Sequence, residues 1–217
     1  MSAFIPFPHK RLENDPAGVK AAYLEGRKGG GVPVLLLMEP EMAPFGEEEE
    51  WDMLSLLAED AMEESCALDL QEALEEKAEE LDLYPECFSM EKDEGIREND
   101  LYLGLDDTLE LYLAEFPGEP WEVLAFLPSG LWGEPVPPEF LALVRKWQVK
   151  HGAVPAAIGF NTLQFYVEEP VTDPEELETL CHEMLLFCPE LIEMHALSFG
   201  NLTEQVSKSH FWYFVWD

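Results

Sequence analysis

A histidine followed directly by a glutamate could supply general acid-base chemistry. His182 and Glu183 lie in a predicted helix, and Asp173 or Asp217 could complete a group of the kind that hydrolases place in a cleft. With Trp132, which we expect in an exposed proline-rich loop, the residues His182, Glu183 and Asp217 outline one candidate cleft. The chain contains no GxSxG, HExxH, P-loop or GxGxxG motif, so this interpretation depends on residue types alone.

Two cysteines and two histidines of the same region, Cys181, His182, Cys188 and His195, could be imagined as zinc ligands. The cysteines are seven positions apart, which is about two helical turns, so both fall on one apolar stripe. Zinc ligands usually lie closer in sequence and on turns. We therefore expect Cys181 and Cys188 to be core thiols, with a metal site as the alternative, and we predict no cofactor.

The charge of the chain limits its partners. It has 46 acidic and 12 basic residues, a formal net charge of −34, which repels nucleic-acid phosphates and anionic lipids. No apolar run is long enough to span a bilayer, and the first residues place their bases after a short apolar part, opposite to a secretory signal. We expect a cytoplasmic protein with no nucleic-acid or membrane partner.

The acidic residues are concentrated between positions 47 and 80, where 15 acids accompany one base, Lys77. Like charges four residues apart, such as Glu72 with Glu76, destabilise a helix by a few tenths of a kcal/mol each. The segment is either a solvated helix surface or a surface that attracts a basic protein. The candidate partner-binding residues are Glu47, Glu48, Glu49, Glu50, Glu63, Glu64, Glu72, Glu75, Glu76, Glu79 and Glu80.

Helix signals and a buried strand organise the first half of the chain. Asp15 followed by Pro16 predicts a helix start, and Gly29, Gly30 and Gly31 predict its end before the strand "VPVLLLM". A helix from Glu47 should bury Trp51, Leu54, Ala58, Ala61 and Met62, and Asp69 should cap a second helix with Leu70, Ala73, Leu74, Ala78 and Leu81 on its apolar side.

The second half predicts an α+β fold with a mixed, mainly antiparallel sheet. "TLELYLAEF", "WEVLAFL", "AVPAAIGF" and "LQFYVEE" indicate strands, while "PEFLALVRKWQVKH" and "PEELETLCHEMLLFC" indicate helices. A shorter helical piece around Leu202 to Lys208 precedes the closing strand. From Trp121 onward the order is β-α-β-β-α-β, as in a ferredoxin-like layer, with the acidic helices as an addition.

The last residues, "HFWYFVWD", predict a strand that is apolar on both faces. Trp212, Phe214 and Trp216 should point to one side, while Phe211, Tyr213 and Val215 point to the other. Such a strand must be covered on both sides. We expect the two C-terminal helices on one face and the N-terminal helices on the other.

Four blocks in order, "PWEVLAFLPSGLW", "KWQVKHGAVPAAIGFNTLQFYVEEP", "ETLCHEMLLFCPELI" and "HFWYFVWD", resemble the bacterial family known as domain of unknown function 4253. The resemblance covers Trp121 to Asp217. The chain departs from the family pattern at Leu131 and Gly133, at Glu190 and at Val215. The family brings no catalytic residue to carry over, and some of its members resemble toxin-immunity candidates.

Charge, the missing motifs and the resemblance together favour a binding function over catalysis. We predict an acidic, non-catalytic immunity-type protein that occludes a basic protein such as a toxin. The alternative is a hydrolase-like or ligand-binding domain at the cleft of Trp132, His182, Glu183 and Asp217. We expect an acidic region at residues 1–100 packed on an α+β domain at residues 101–217, or one compact domain formed by both.

Overall fold

The described part of the chain forms one β-sheet with helices packed around it. The computed structural model describes residues 4–38, 51–81, 89–93, 98–101, 109–127, 136–159 and 161–216. The strands are β1 (His9–Leu12), β2 (Val32–Met38), β3 (Glu110–Phe116), β4 (Val154–Ile158), β5 (Thr162–Tyr166) and β6 (Phe211–Val215). The α-helices are α1 (Pro16–Lys28), α2 (Trp51–Ala67), α3 (Leu70–Glu80), α4 (Pro138–His151), α5 (Pro174–Phe187) and α6 (Phe199–Lys208).

The helix ends follow the capping chemistry of the sequence. The side chains of Asp15, Asp69 and Asp173 each accept hydrogen bonds from backbone N–H groups in the first turn of the following helix. Gly152 ends α4 at φ +66°, a left-handed conformation that glycine adopts without steric cost. These boundaries agree with the predicted ones because each depends on local contacts.

The sheet is mixed and mainly antiparallel, as predicted. Its strand order is β1-β3-β2-β4-β5-β6, and only β2 and β4 pair in parallel among these strands. From β3 to β6 the chain runs β3-α4-β4-β5-α5-α6-β6, so α6 and the 3-10 helix after β3 are additions to the predicted β-α-β-β-α-β order. Because β2 is inserted between β3 and β4, the layer differs from a four-stranded ferredoxin-like sheet. The sheet therefore joins residues from both sides of position 100.

The prediction of one strand is wrong. "WEVLAFL" forms a 3-10 helix at Pro120–Phe126, and the strand before it, β3, takes its place in the chain order. Pro120 stands at the first helical position, and the backbone N–H of Glu119 donates to Oε2 of Glu122 at 2.9 Å. The run is buried on several sides, so its apolar character gives no period that would separate a strand from a helical turn.

The closing strand β6 is buried on both faces, as predicted. Trp212, Phe214 and Trp216 belong to the larger apolar cluster, together with residues of α4, α5 and α6. Trp147 of α4 lies at the centre of this layer, stacked on Phe214 with ring centroids 5.9 Å apart. On the opposite face, Phe211 belongs to a second cluster with Val19 and Tyr23 of α1. The aromatic side chains at the end of the chain therefore pack into the apolar clusters on both faces of the sheet.

The position of the acidic helices differs from the prediction that the N-terminal helices together cover the second face. Apart from the strands, the described residues of the cluster on that face come from α1 and from Leu101 and Leu109. In contrast, α2 packs against α4 and the 3-10 helix, and α3 packs against α4 and α5. Their buried residues, Ala58 and Leu74, join the larger cluster. Helix α4 therefore lies between the sheet and the acidic helices.

Candidate functional site

Helices α2 and α3 expose most of the predicted partner-binding carboxylates. Each helix buries a narrow stripe, centred on Ala58 in α2 and on Leu74 in α3, and most of the other described side chains are exposed. The exposed predicted residues are Glu63, Glu64, Glu72, Glu75, Glu76 and Glu79. Glu47, Glu48, Glu49, Glu50 and the side chain of Glu80 lie outside the described part of the structure.

Helix α2 is fixed at its C-terminal end by a single arginine of α4. The guanidinium of Arg145 donates to the backbone oxygen of Ser65 at 3.3 Å and contacts Sγ of Cys66. The same guanidinium lies 5.7 Å from the ring centroid of Trp121. A positive charge at the C-terminal end of a helix is favourable because the last carbonyl groups carry partial negative charge. The contact orients α2 on α4.

Few bases lie near the described carboxylates of α2 and α3. Among the ion pairs between described side chains, none includes an acid of these two helices. The one base of α3, Lys77, places Nζ 6.0 Å from the ring centroid of Phe140. Gln71 donates to Oε1 of Glu75 at 2.7 Å, which orients a carboxylate without cancelling its charge. The outer surface of both helices therefore remains strongly negative.

The outward face of α2 also carries large apolar side chains. Met53, Leu56 and Leu57 expose 58%, 62% and 45% of their surface. Their spacing places them on one side of the helix, and Asp60 and Glu64 continue the same stripe. This patch was not predicted from the sequence, since helical spacing indicates the buried stripe of α2 but not which apolar residues stay exposed. Apolar residues that stay exposed beside charged ones are typical of protein-binding surfaces.

Glu183, a residue of the predicted cleft, is buried between α5 and α4. Its Oε2 accepts a hydrogen bond from Nε1 of Trp147 at 2.8 Å, and its Oε1 lies 2.6 Å from Nζ of Lys146. Both carboxylate oxygens are therefore engaged within the protein. The indole of Trp147 is fully buried, and Glu183 supplies the acceptor that its N–H requires.

The side chain of His182, the other residue of the predicted cleft that the structure describes, does not share the surroundings of Glu183. His182 is exposed on α5, with Nδ1 2.8 Å from the backbone oxygen of Glu178 and its ring 4.7 Å from that of Phe199. His182 and Glu183 are adjacent in sequence, but one is exposed beside α6 and the other is buried against α4. Trp132 and Asp217 lie outside the described residues.

The two thiols considered as metal ligands are buried in the core, as predicted. Cys181 and Cys188 are fully buried in the larger cluster, and burial raises the pKa of each thiol to about 12. Cys188 donates to the backbone oxygen of Val215 at 3.2 Å. Among the described residues, no group of three or more His, Cys, Asp and Glu could hold a metal ion.

A second candidate site lies on the opposite face of the sheet. Two cross-strand pairs of β5 and β6, Gln164 with Tyr213 and Tyr166 with Phe211, point to the same side. The segment at residues 98–101 crosses over them, anchored by the buried Leu101. Two cavities, of about 380 and 250 Å³, open beside this segment, and both are lined by Glu98, Asn99 and Asp100.

Polar contacts hold the crossing segment in place. The backbone N–H of Asn99 donates to Oγ of Ser209 at 2.7 Å, and Gln164 donates to the backbone oxygen of Asp100 at 2.8 Å. Nε2 of His195 donates to Oδ1 of Asn99 at 3.0 Å. Burial lowers the pKa of His195, so the imidazole is neutral near pH 7.

His195 reaches this site from an unusual backbone. It belongs to a π-helix at Ile192–Ala196, which ends at Leu197 with φ +68°. Single π-turns occur frequently at functional sites, and a leucine rarely adopts a positive φ. This site was not predicted from the sequence. The alternation of Phe211 and Tyr213 indicates a second covered face of the sheet, but no local sequence pattern predicts that residues 98–101 cross it.

Comparison with known proteins identifies the C-terminal half. Residues 112–217 match the family described as "Domain of unknown function (DUF4253)", in agreement with the resemblance seen in the sequence. No curated protein and no solved structure matches the chain. No described helix combines the length and the apolar character that crossing a membrane requires.

Proposed function

We propose that this chain, whose residues 112–217 belong to the DUF4253 family, is a non-catalytic binding protein that occludes a basic protein through α2 and α3. The observation that carries the proposal is the outward face of α2. There, exposed Met53, Leu56 and Leu57 lie among carboxylates that have no ion pair with a described side chain.

The two parts of this surface have different roles in binding. The carboxylates of α2 and α3 attract a cationic partner over long range and raise the association rate, an effect that salt weakens. The apolar side chains supply contact area that loses water on binding and slows dissociation. An acidic patch alone would give weak, salt-sensitive binding. The apolar residues at its centre favour a stable complex.

The partner we propose is a toxin with a cationic nuclease surface. A surface that binds nucleic-acid phosphates is rich in Lys and Arg, so it is complementary to a dense row of carboxylates. Binding would then block the surface on which the toxin's substrate sits, as expected of an immunity protein. The hydrolase-like alternative has less support because both oxygens of Glu183 already contact Lys146 and Trp147.

The apolar centre of the surface gives the first test of the proposal. Met53, Leu56 and Leu57 are replaced together by Ser, and the dissociation constant for a basic toxin domain encoded beside the gene is measured by calorimetry. Loss of an interface centre typically costs about 2 kcal/mol or more, so the dissociation constant should rise at least about 30-fold.

A matched control changes three other exposed apolar residues, Val149, Met194 and Leu197, to Ser. This variant removes the same kind of surface outside α2 and should bind like the native protein. Equal weakening by both variants, or native affinity in the α2 variant, would show that α2 is not the interface. If the native chain forms no complex with the toxin domain, the proposed partner is wrong.

A further inference from the structure

The sheet face opposite the acidic helices carries a second surface suited to positive charge. Tyr166 and Phe211 form an aromatic floor beneath the segment at residues 98–101. The larger cavity beside this segment has about 380 Å³, and the smaller one, about 250 Å³, reaches Tyr213 and His195. A compound of a few heavy atoms fits within either volume.

The protein's own cations already use these rings. Nζ of Lys20 lies 5.7 Å from the ring centroid of Phe211 and forms an ion pair with Oδ1 of Asp100 at 2.6 Å. The guanidinium of Arg27 lies 5.7 Å from the ring centroid of Tyr166. Aromatic faces attract cations through the negative charge of their π-systems. The floor of the site is therefore complementary to ammonium and guanidinium groups.

One carboxylate remains for an external cation. Glu98 is exposed, lines both cavities and forms no ion pair among the described side chains, whereas Asp100 is paired with Lys20. The neutral His195 adds no positive charge to the smaller cavity. An anionic ligand would be repelled by the carboxylate of Glu98 and by the strongly negative charge of the whole chain.

From this geometry we propose that the larger cavity beside residues 98–101 binds a small organic cation, a primary amine or a guanidinium compound. Its charged group lies beside the carboxylate of Glu98 and the rings of Tyr166 and Phe211, and its carbon chain covers Leu24. Asn99 supplies an amide group beside the cation. This site is separate from the acidic surface of α2 and α3, and neither depends on the other.

Titration with monocationic probes tests the proposal. Butylguanidine and butylamine are added to the full chain at about 0.15 M salt, with the neutral butyramide as a matched compound, and the protein is observed by NMR. Saturable one-to-one binding should shift ring signals of Tyr166 and Phe211. Butyramide should produce no comparable shift, because it lacks the charge.

The substitution Glu98→Gln should weaken binding about fivefold, the range of an exposed ion pair, while Glu168→Gln removes one exposed charge elsewhere and should change nothing. Because Glu98 is exposed, the variant should keep its fold, which unchanged signals away from the cavities would verify. The proposal is overturned by non-saturable shifts, by equal binding of butyramide, or by Glu98→Gln binding as the native chain does.

Discussion

Replacing Glu183 gives a sharp test of its role as a buried hydrogen-bond acceptor. The carboxylate joins α5 to α4 through Nε1 of Trp147 at 2.8 Å and Nζ of Lys146 at 2.6 Å. Glu183→Ala removes both contacts. Glu183→Gln keeps an amide oxygen that can accept from the indole, and removes only the ion pair. The difference between the two variants isolates the hydrogen bond to Trp147.

The structure sets the expected sizes of the two effects. The side chain of Lys146 is 37% exposed, so loss of its ion pair should cost at most about 1 kcal/mol. Glu183→Ala also leaves the indole N–H of the fully buried Trp147 without an acceptor, which costs about 1 to 3 kcal/mol more. We expect a total loss of unfolding free energy of about 1 to 4 kcal/mol for Ala and about 1 kcal/mol or less for Gln.

Urea unfolding followed by tryptophan fluorescence measures both values, and Glu178→Ala on the exposed side of α5 is the matched control. In a Trp147→Phe background, which lacks the indole donor, the extra cost of Ala over Gln should largely disappear. If Gln destabilises as much as Ala, the ion pair and not the hydrogen bond dominates. If neither destabilises, the described packing of α5 on α4 is incorrect.

Three further predictions follow from local features. Gly152→Ala should lower stability by about 1 kcal/mol because φ is +66° there, whereas Gly29→Ala, at φ −70°, should be neutral or slightly stabilising in the same unfolding assay. Burial lowers the pKa of His195 in the folded state, so as the pH falls the unfolded state, with the ordinary pKa of 6.5, takes up a proton first. The contribution of His195 to the free energy of unfolding should therefore be complete above pH 6.5 and decrease below it. His195→Asn should reduce this loss of stability between about pH 7 and about pH 5. Residue-resolved alkylation of the folded chain should modify the exposed Cys66 readily and Cys181 slowly, because burial raises the pKa of Cys181 to about 12; rapid modification of Cys181 would refute its burial.

Local chemistry explains which parts of the fold the sequence predicts. Asp15 and Asp173 each precede a proline and cap a helix, and Gly152 ends one, because these signals act within a few residues. The alternation of Trp212 and Phe214 against Phe211 likewise predicts the two buried faces of β6, since strand geometry fixes it.

The remaining features depend on contacts between distant parts of the chain. Pro120 and Glu119 turn an apolar run into a 3-10 helix, although the run itself is compatible with a strand. The acidic helices pack on α4, and amphipathicity shows which side of a helix is buried but not which surface covers it.

The second candidate site, beside residues 98–101, also depends on contacts between distant parts of the chain. Asn99 contacts His195 and Ser209 across about a hundred residues, so no local pattern predicts that these groups meet. In the predicted cleft, the adjacent residues His182 and Glu183 point to different surroundings because successive positions on a helix are about 100° apart. Adjacency in sequence was therefore a poor guide to a shared site on α5.

The association rate with a basic toxin domain tests the proposed function most directly. The variant changes Glu63, Glu64, Glu75 and Glu76 of the acidic helices to Gln, and salt is varied from about 0.05 to about 0.5 M. The control makes the same change in charge at four exposed glutamates outside α2 and α3: Glu168, Glu169, Glu178 and Glu193.

We predict that the α2 and α3 variant associates about tenfold more slowly at low salt and loses most of its salt dependence, while the control keeps a rate close to that of the native chain. Equal slowing by both variants would mean that only total charge matters. A native association rate that does not respond to salt would contradict the proposal that the acidic helices bind the partner.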